Sequence, residues 1–353
     1  MRIGIITHHY VNNFGAFLQA WALQGEVRRL MPDADVCVVD LVCRRHACIN
    51  ALGIFRPRQG VYSPAEALER ARLLRGFARA RRKSLCLTAP VHTAEQINRL
   101  NLDVVIVGSD EVWNYADRKS VMPVKYGVGL NRGRLVAYAP SVGDGARAGR
   151  LPEELARGLA RFDRVCARDE ATRLLLNGLG LRAEPVLDPV FLFPPKTRPV
   201  RAAQPYVLMY ACARLPKQAR RELRAYAARR DAVILGAGDG GAVCDRRTVD
   251  ITPFEWAQLF AGAECVVTGS LHGAILSILH HKRFICWPGN GSRRQKLRSL
   301  LGELELDRRM PACPDDAVRL LEREIDYTRA DELLAAKRAR SEAYLLAALE
   351  GKR

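Results

Sequence analysis

One histidine, a pair of adjacent carboxylates and a few arginines and small polar residues carry most of the chemistry this 353-residue chain can offer. His272 lies in the run Cys265-Val266-Val267-Thr268-Gly269-Ser270-Leu271-His272-Gly273-Ala274, where a short apolar stretch stops at Gly269 and a helical pattern begins just beyond it. A strand that ends in this way delivers its loop to the open edge of a parallel sheet. The helix that follows points unpaired N–H groups and the positive end of its dipole at whatever binds there, which favours a phosphate or carboxylate. An imidazole at that spot can give a proton or a hydrogen bond to a bound anion. A lone histidine more often caps or packs, so the remaining candidates decide. They fall at the ends of other strand-like runs: Asn12, Asn13 and Gly15; Ser109, Asp110, Glu111 and Asn114; Ser141; Arg168; Ser270 beside His272; and Arg293 with Arg294. Asp and Ser cap helices and Asn tolerates turns, so each has a structural explanation by itself. Together they supply anion binders, hydroxyl binders, a carboxylate base in Asp110 or Glu111, and an acid in His272.

The elements that must position these residues alternate along the chain. Ile3 to Thr7 reads as a buried strand, Phe17 to Met31 as an amphipathic helix and Val36 to Leu41 as a second strand, an opening β-α-β unit whose His8–Gly15 loop faces the ligand side. Val104–Val107, Arg134–Tyr138, Val165–Asp169 and Pro185–Pro189 repeat the arrangement of apolar run and polar end. A Pro-rich stretch, Phe193–Pro199, breaks the pattern, and a second set starts at Tyr206 and runs through Ala232–Gly236, Pro253–Gly262, Cys265–Thr268 and Phe284–Trp287. This predicts an α/β chain of two Rossmann-like domains with parallel sheets, residues 1–195 and 200–327. A charged helix over 328–353 follows, placed to pack back on the first domain. A helical segment at 64–83 carries seven basic residues between Arg70 and Lys83. A solvated face is the ordinary meaning of such a run, and contact with an anionic membrane is the sharper one.

Composition narrows the classes. The net charge is +18, and 47 of the 56 basic residues are Arg, dispersed along the chain; this raises the local concentration of anionic partners. Aromatics are only 7% of residues and the basic ones are dispersed, which argues against a surface of interleaved aromatic and basic residues and so against nucleic acid as a partner. The ten Cys form no Cys-x-x-Cys pair, and the one local cluster, Cys43, His46 and Cys48, lacks a fourth ligand at zinc spacing. They read as reduced thiols of a cytoplasmic protein, and no apolar run is long enough for a membrane span. Gly236–Gly241 falls short of a dinucleotide fingerprint, and neither a Walker loop nor a Gly-x-Ser-x-Gly elbow is present.

Several ordered motifs resemble the polysaccharide pyruvyl transferases: Asn12-Asn13-Phe14-Gly15 running on to Leu23, Val107–Asn114 (Val-Gly-Ser-Asp-Glu-Val-Trp-Asn), Ala137–Gly143, Ala167–Glu170, Leu187-Asp188-Pro189, and Gly269–Ala274. The resemblance spans most of residues 1–310. It implies an architecture similar to that of the GT-B glycosyltransferases, phosphoenolpyruvate as donor substrate with no separate cofactor, and as acceptor a sugar of a bacterial exopolysaccharide, capsule or cell-wall glycan, still attached to a lipid diphosphate. Some members of that family carry an Arg two residues before the motif His, where this chain has Ser270. On this reading His272 protonates the donor and Asp110 or Glu111 takes a hydroxyl proton. Arg168, Arg293, Arg294 and the helix start at Ser270 hold the donor's anionic groups, while Asn13, Gly15, Ser109, Asn114 and Ser141 orient the acceptor or hold donor oxygens. The enzyme would be cytoplasmic, peripheral to the inner face of the membrane. A nucleotide-sugar-dependent glycosyltransferase of GT-B type is the competing reading, since fold does not determine chemistry.

Overall fold

The computed structural model describes residues 1–52, 64–131, 133–147, 149–198, 203–212, 215–238, 243–248, 250–289 and 291–351. Residues 239–241 of the glycine stretch and Pro199 of the Pro-rich stretch lie outside these. The chain divides into two compact units, Met1–Pro194 with Ala336–Arg353, and Pro195–Ala335.

The first unit runs β1 (Arg2–Ile6), α1 (Phe14–Leu30), β2 (Asp35–Val38), α2 (Arg44–Leu52), α3 (Pro64–Ser84), α4 (Ala94–Asn98), β3 (Val104–Asp110), β4 (Arg134–Pro140), α5 (Glu153–Leu159), β5 (Cys166–Ala167), α6 (Glu170–Gly178), β6 (Glu184–Pro185) and α7 (Pro189–Leu192). Its main sheet is wholly parallel in the order β2-β1-β3-β4, and β5 pairs with β6. Strands buried on both faces need unbroken apolar runs, and β1 (Ile3, Ile5, Ile6) and β3 (Val104–Val107) have them. Helix α1 begins three residues earlier than its apolar periodicity suggests, because the Asn13 side chain accepts from the Ala16 N–H (3.1 Å) and closes the first turn. Strand β2 is shorter than the apolar run. Past Val38 the backbone turns to bond with Cys86, Thr88 and Val91, which brings Asp40 and Val42 to the sheet's carboxyl edge.

The second unit runs β7 (Tyr206–Tyr210), α8 (Lys217–Arg229), β8 (Val233–Ala237), β9 (Arg246–Thr248), α9 (Pro253–Gly262), β10 (Cys265–Thr268), α10 (Leu271–Leu279), β11 (Arg283–Cys286), α11 (Ser292–Glu303) and α12 (Pro314–Glu322). Its five parallel strands lie in the order β11-β10-β7-β8-β9. Strand β9, polar and two-thirds exposed, carries no apolar signal in the sequence and pairs only as an edge. The last helix, α13 (Thr328–Glu350), spends its second half in the first unit. There the Tyr344 hydroxyl donates to the Ala137 carbonyl (3.1 Å), the Ser341 hydroxyl accepts from Leu187 N–H (2.9 Å), and Arg134 reaches the Leu349 carbonyl (2.7 Å). No described helix is long and apolar enough to cross a membrane.

Candidate functional site

In the first unit the candidates gather at the carboxyl ends of β1, β3, β4 and β5, where a parallel sheet presents its loops. The Gln19 amide of α1 donates to the Thr7 hydroxyl (2.9 Å), which donates in turn to the Ser109 carbonyl (3.3 Å), so the ends of β1 and β3 are tied together by buried polar groups. Asp110 follows with φ +73°, in the left-handed region that a non-glycine residue occupies at a cost of about 1–3 kcal/mol. That conformation carries its carboxylate to Arg168, 3.1 Å away, and the same guanidinium donates to Asp188 at 2.7 Å. The Arg168 and Asp188 side chains are 5% and 2% exposed. A buried ion triad of this kind holds geometry well and supplies little net stability. Asp188 also caps α7 through Val190 N–H (3.0 Å).

Around the triad, the Asn114 amide donates to Glu111 (2.9 Å), the Ser109 hydroxyl oxygen accepts from Asp110 N–H (2.6 Å), and the Ser141 hydroxyl oxygen accepts from Gly143 N–H (3.1 Å). Thus Ser109, Asp110, Glu111, Asn114, Ser141 and Arg168 form one strand-end neighbourhood. Arg168 is already engaged by two carboxylates, so it serves there as a clamp on Asp110 rather than as an open anion binder. Asn13 is occupied as the cap of α1, and Gly15 is buried inside that helix; neither joins the neighbourhood through a hydrogen bond.

Sequence reasoning passed over the residues behind this edge. Lys125, wholly buried, donates to the Tyr10 hydroxyl (2.7 Å) and the Ser120 carbonyl (3.0 Å). Burial pushes its amine down to about 7, against the weaker pull of Asp117 and Asp110. His8 lies in the same interior, and burial, reinforced by the charge of Lys125, drives its ring well below the usual histidine range. Nothing in Pro123-Val124-Lys125-Tyr126 marks its lysine as buried; that follows from the turn it sits in, which the Trp113 indole locks by donating to the Lys125 carbonyl (2.8 Å).

The second unit builds its site from β10 and α10. Ser270 is extended and caps the helix, its hydroxyl oxygen accepting from Gly273 N–H (3.0 Å). Both motif glycines are forced by close approach. A Cβ on Gly269 would strike the carbonyls of Ala211 and Trp287, and one on Gly273 would collide with the Thr268 side chain. His272 stands half-buried in the first turn of α10, at the positive end of the helix dipole, which favours an anion. Arg293 and Arg294 occupy the first turn of α11, both exposed and without an ion-pair partner among the described residues. Burial lifts the Tyr210 phenol at the end of β7 to about 12, and the charge of Arg293 works against that rise, which places Arg293 by the carboxyl edge of this sheet.

Among the described residues no group of three or more His, Cys, Asp and Glu is placed to hold a metal ion. Of the local Cys43, His46 and Cys48 cluster, the Cys43 thiol donates to the Lys119 carbonyl (3.2 Å) and the His46 ring packs edge-on to Tyr10.

Among solved structures, the UDP-N-acetylglucosamine 2-epimerase of Neisseria meningitidis bound to UDP-GlcNAc superposes with a TM-score of 0.53 at 9% identity, over 100% of both chains. A protein assigned as the same epimerase in Listeria monocytogenes gives 0.52 at 14%, over 99% of this chain and 95% of that one. A Streptomyces glycosyltransferase complexed with thymidine diphosphate gives 0.47 at 15%, over 99% of each. At such identity the two epimerase likenesses speak to the fold alone, which is α/β, with two Rossmann-like units of parallel sheet. No match was found among curated protein sequences. The family described as polysaccharide pyruvyl transferase matches residues 13–287, a span that takes in the strand-end neighbourhood of the first unit and the His272 junction of the second. On that match the chain belongs to the polysaccharide pyruvyl transferase family.

Proposed function

We propose that the protein transfers the enolpyruvyl group of phosphoenolpyruvate to two hydroxyls of one sugar in a bacterial cell-surface glycan precursor, forming a pyruvate ketal and releasing phosphate. The observation that carries this reading is the His272 junction: an imidazole in the first turn of a helix capped by Ser270, at the positive end of its dipole, in a chain that belongs to this family. His272 protonates the methylene carbon of the donor, which leaves positive charge on the central carbon, and a sugar hydroxyl adds there. A second hydroxyl of the same sugar then forms the other C–O bond as phosphate leaves, and its proton departs with the phosphate. Asp110 or Glu111 accepts a hydroxyl proton, Asp110 being held in place by Arg168. Arg293 and Arg294, with the Ser270 end of α10, receive the donor's phosphate and carboxylate. Ser109, Asn114 and Ser141 orient acceptor hydroxyls. The chemistry calls for no cofactor besides the donor substrate.

The exposed face of α3 fits a place at the inner surface of the membrane. Arg72, Arg75, Arg79, Arg82 and Lys83 are all exposed, fall within an arc of about 100° at helical spacing, and have no ion-pair partner among the described residues. Such a stripe gains roughly 1 kcal/mol per basic residue near an anionic leaflet.

The decisive assay combines the protein, phosphoenolpyruvate and a panel of lipid-linked glycans, and reads phosphate release together with the mass gain of a ketal on the glycan. Phosphoenolpyruvate should also raise the thermal midpoint. Stabilisation by UDP- or GDP-sugars alone, with no ketal formed, would transfer the case to a nucleotide-sugar glycosyltransferase.

A further inference from the structure

A cavity of about 300 Å³ opens at the carboxyl edge of the first unit's sheet, on the β2 side of β1, between that edge and helices α2 and α3. This is the lower end of the size range of small-molecule sites, roughly 300–1,000 Å³. Its walls carry an unusual electrostatic arrangement. The one carboxylate, Asp40, gives its Oδ1 to the buried His9 ring at 2.9 Å, and its other oxygen has no partner among the described residues. The Arg81 guanidinium is half-buried, yet it donates only to uncharged acceptors, the His9 carbonyl (3.3 Å) and the Asn12 Oδ1 (2.9 Å). Arg82, also on the wall, is exposed and makes no ion pair. Neither guanidinium forms a direct ion pair among the described residues, although the charge of Asp40 on the same wall acts on Arg81, and Arg82 is at the same time part of the cationic stripe of α3. Asn50 completes the polar lining. Its amide nitrogen is used on the Tyr10 carbonyl (3.1 Å), which leaves its side-chain oxygen as an acceptor.

These groups sort into two halves. Asp40 and Asn50 offer acceptor oxygens suited to vicinal hydroxyls, and Arg81 with Arg82 offers the forked, always-charged donors suited to phosphate. A bare anion would leave the acceptor oxygens facing its charge, and a neutral sugar would leave both guanidinium groups without a direct ion-pair partner. A sugar carrying a phosphate at one end satisfies both halves.

We propose that this cavity binds a glycosyl phosphate, the sugar ring on Asp40 and Asn50 and the phosphate on Arg81 and Arg82, and so holds the acceptor by its head group. The inference rests on the proposed function in one respect, the naming of that phosphorylated sugar as the acceptor; the binding itself needs no transfer reaction. The same phosphate could belong to a free sugar 1-phosphate or to a sugar linked to lipid through a diphosphate.

Calorimetric titration of the full chain with the 1-phosphates of glucose, galactose and mannose, with the corresponding free sugars and with inorganic phosphate tests it. The expected result is saturable binding of at least one hexose 1-phosphate, with its parent sugar and phosphate alone each at least about tenfold weaker. Arg82→Gln, at an exposed position, should weaken that binding about tenfold with the thermal midpoint unchanged, and Arg81→Gln should weaken it further. His272→Ala should leave it as in the wild type. Tighter binding of a short-chain polyprenyl diphosphate sugar in micelles would identify the lipid-linked form as the source, and equal binding would identify the head group alone. Saturable binding of none of the three, phosphate binding as tightly as any sugar phosphate, or indifference to both arginine substitutions overturns the assignment. A protein that forms ketals from phosphoenolpyruvate yet binds no hexose 1-phosphate would lose this cavity and keep its proposed function; one that binds the sugar phosphate and forms no ketal would do the reverse.

Discussion

The two strand-end regions use charge in opposite ways. In the first unit Arg168 is buried between Asp110 and Asp188, Asn114 donates to Glu111, and the Ser109 and Ser141 hydroxyls accept from the backbone N–H groups of Asp110 and Gly143. In the second unit Arg293 and Arg294 stand exposed in the first turn of α11 and without ion-pair partners among the described residues. A region whose charges compensate one another can hold a carboxylate in one orientation before any ligand arrives. A region with surplus positive charge waits for an anion. The difference teaches that the two regions are built differently, one with its charges paired internally and the other with cations left unpaired, and the proposed function assigns them positioning and anion capture with proton donation respectively.

The largest effect expected from this contrast is at His272. His272→Ala should lower transfer by about 10²–10⁴-fold, the usual worth of a general acid, with the circular dichroism spectrum and thermal midpoint unchanged. Near-normal turnover would remove the acid from the second unit altogether. Arg168→Leu should act on folding instead, because it leaves two carboxylates without their cation; a loss of about 3–5 kcal/mol is expected, read as a drop of roughly 10 °C or more in the melting midpoint. If that variant melts normally but loses activity, the triad is a ligand site and the contrast between the regions fails.

Lys125 sharpens the same point through pH. Its amine sits near 7 in the folded chain against an ordinary 10.5, so between those values the unfolded chain binds more protons and the contribution to stability rises with pH. The penalty is fully present below about pH 7 and is relieved toward pH 10.5. Lys125→Met should flatten that part of the melting-temperature profile, and an unaltered slope would show that the amine stays protonated throughout. The smallest effect belongs to Ser270→Ala, about 1 kcal/mol for the lost cap. An activity loss well beyond what that destabilisation explains would mean that the hydroxyl also touches the donor.

Much of the α/β plan was legible before any coordinates, since parallel strands buried on both faces require apolar runs such as Ile3–Ile6 and Val104–Val107, and these are visible residue by residue. Element ends were less legible. Asn13 moved the start of α1 because a side-chain cap, not apolar periodicity, closes a helix, and the edge strand Arg246–Thr248 left no apolar trace. In the candidate sites, Asp110 and Arg168 could be named as strand-end polar residues, but their ion pair could not, because its partners lie 58 positions apart and meet only when β3 and β5 are brought into one unit.

What the sequence by itself determined is the local grammar: which segments become buried strands, where glycine is required, and which polar residues stand at strand ends, because these follow from steric and hydrophobic constraints acting over a few residues. The tertiary structure alone decided which charges are spent and which remain. The same residue type is clamped between carboxylates at Arg168, hydrogen-bonded only to neutral acceptors at Arg81 and exposed at Arg293, and the buried amine of Lys125 is pushed toward neutrality, because desolvation and pairing depend on neighbours that the chain brings in from far along its length.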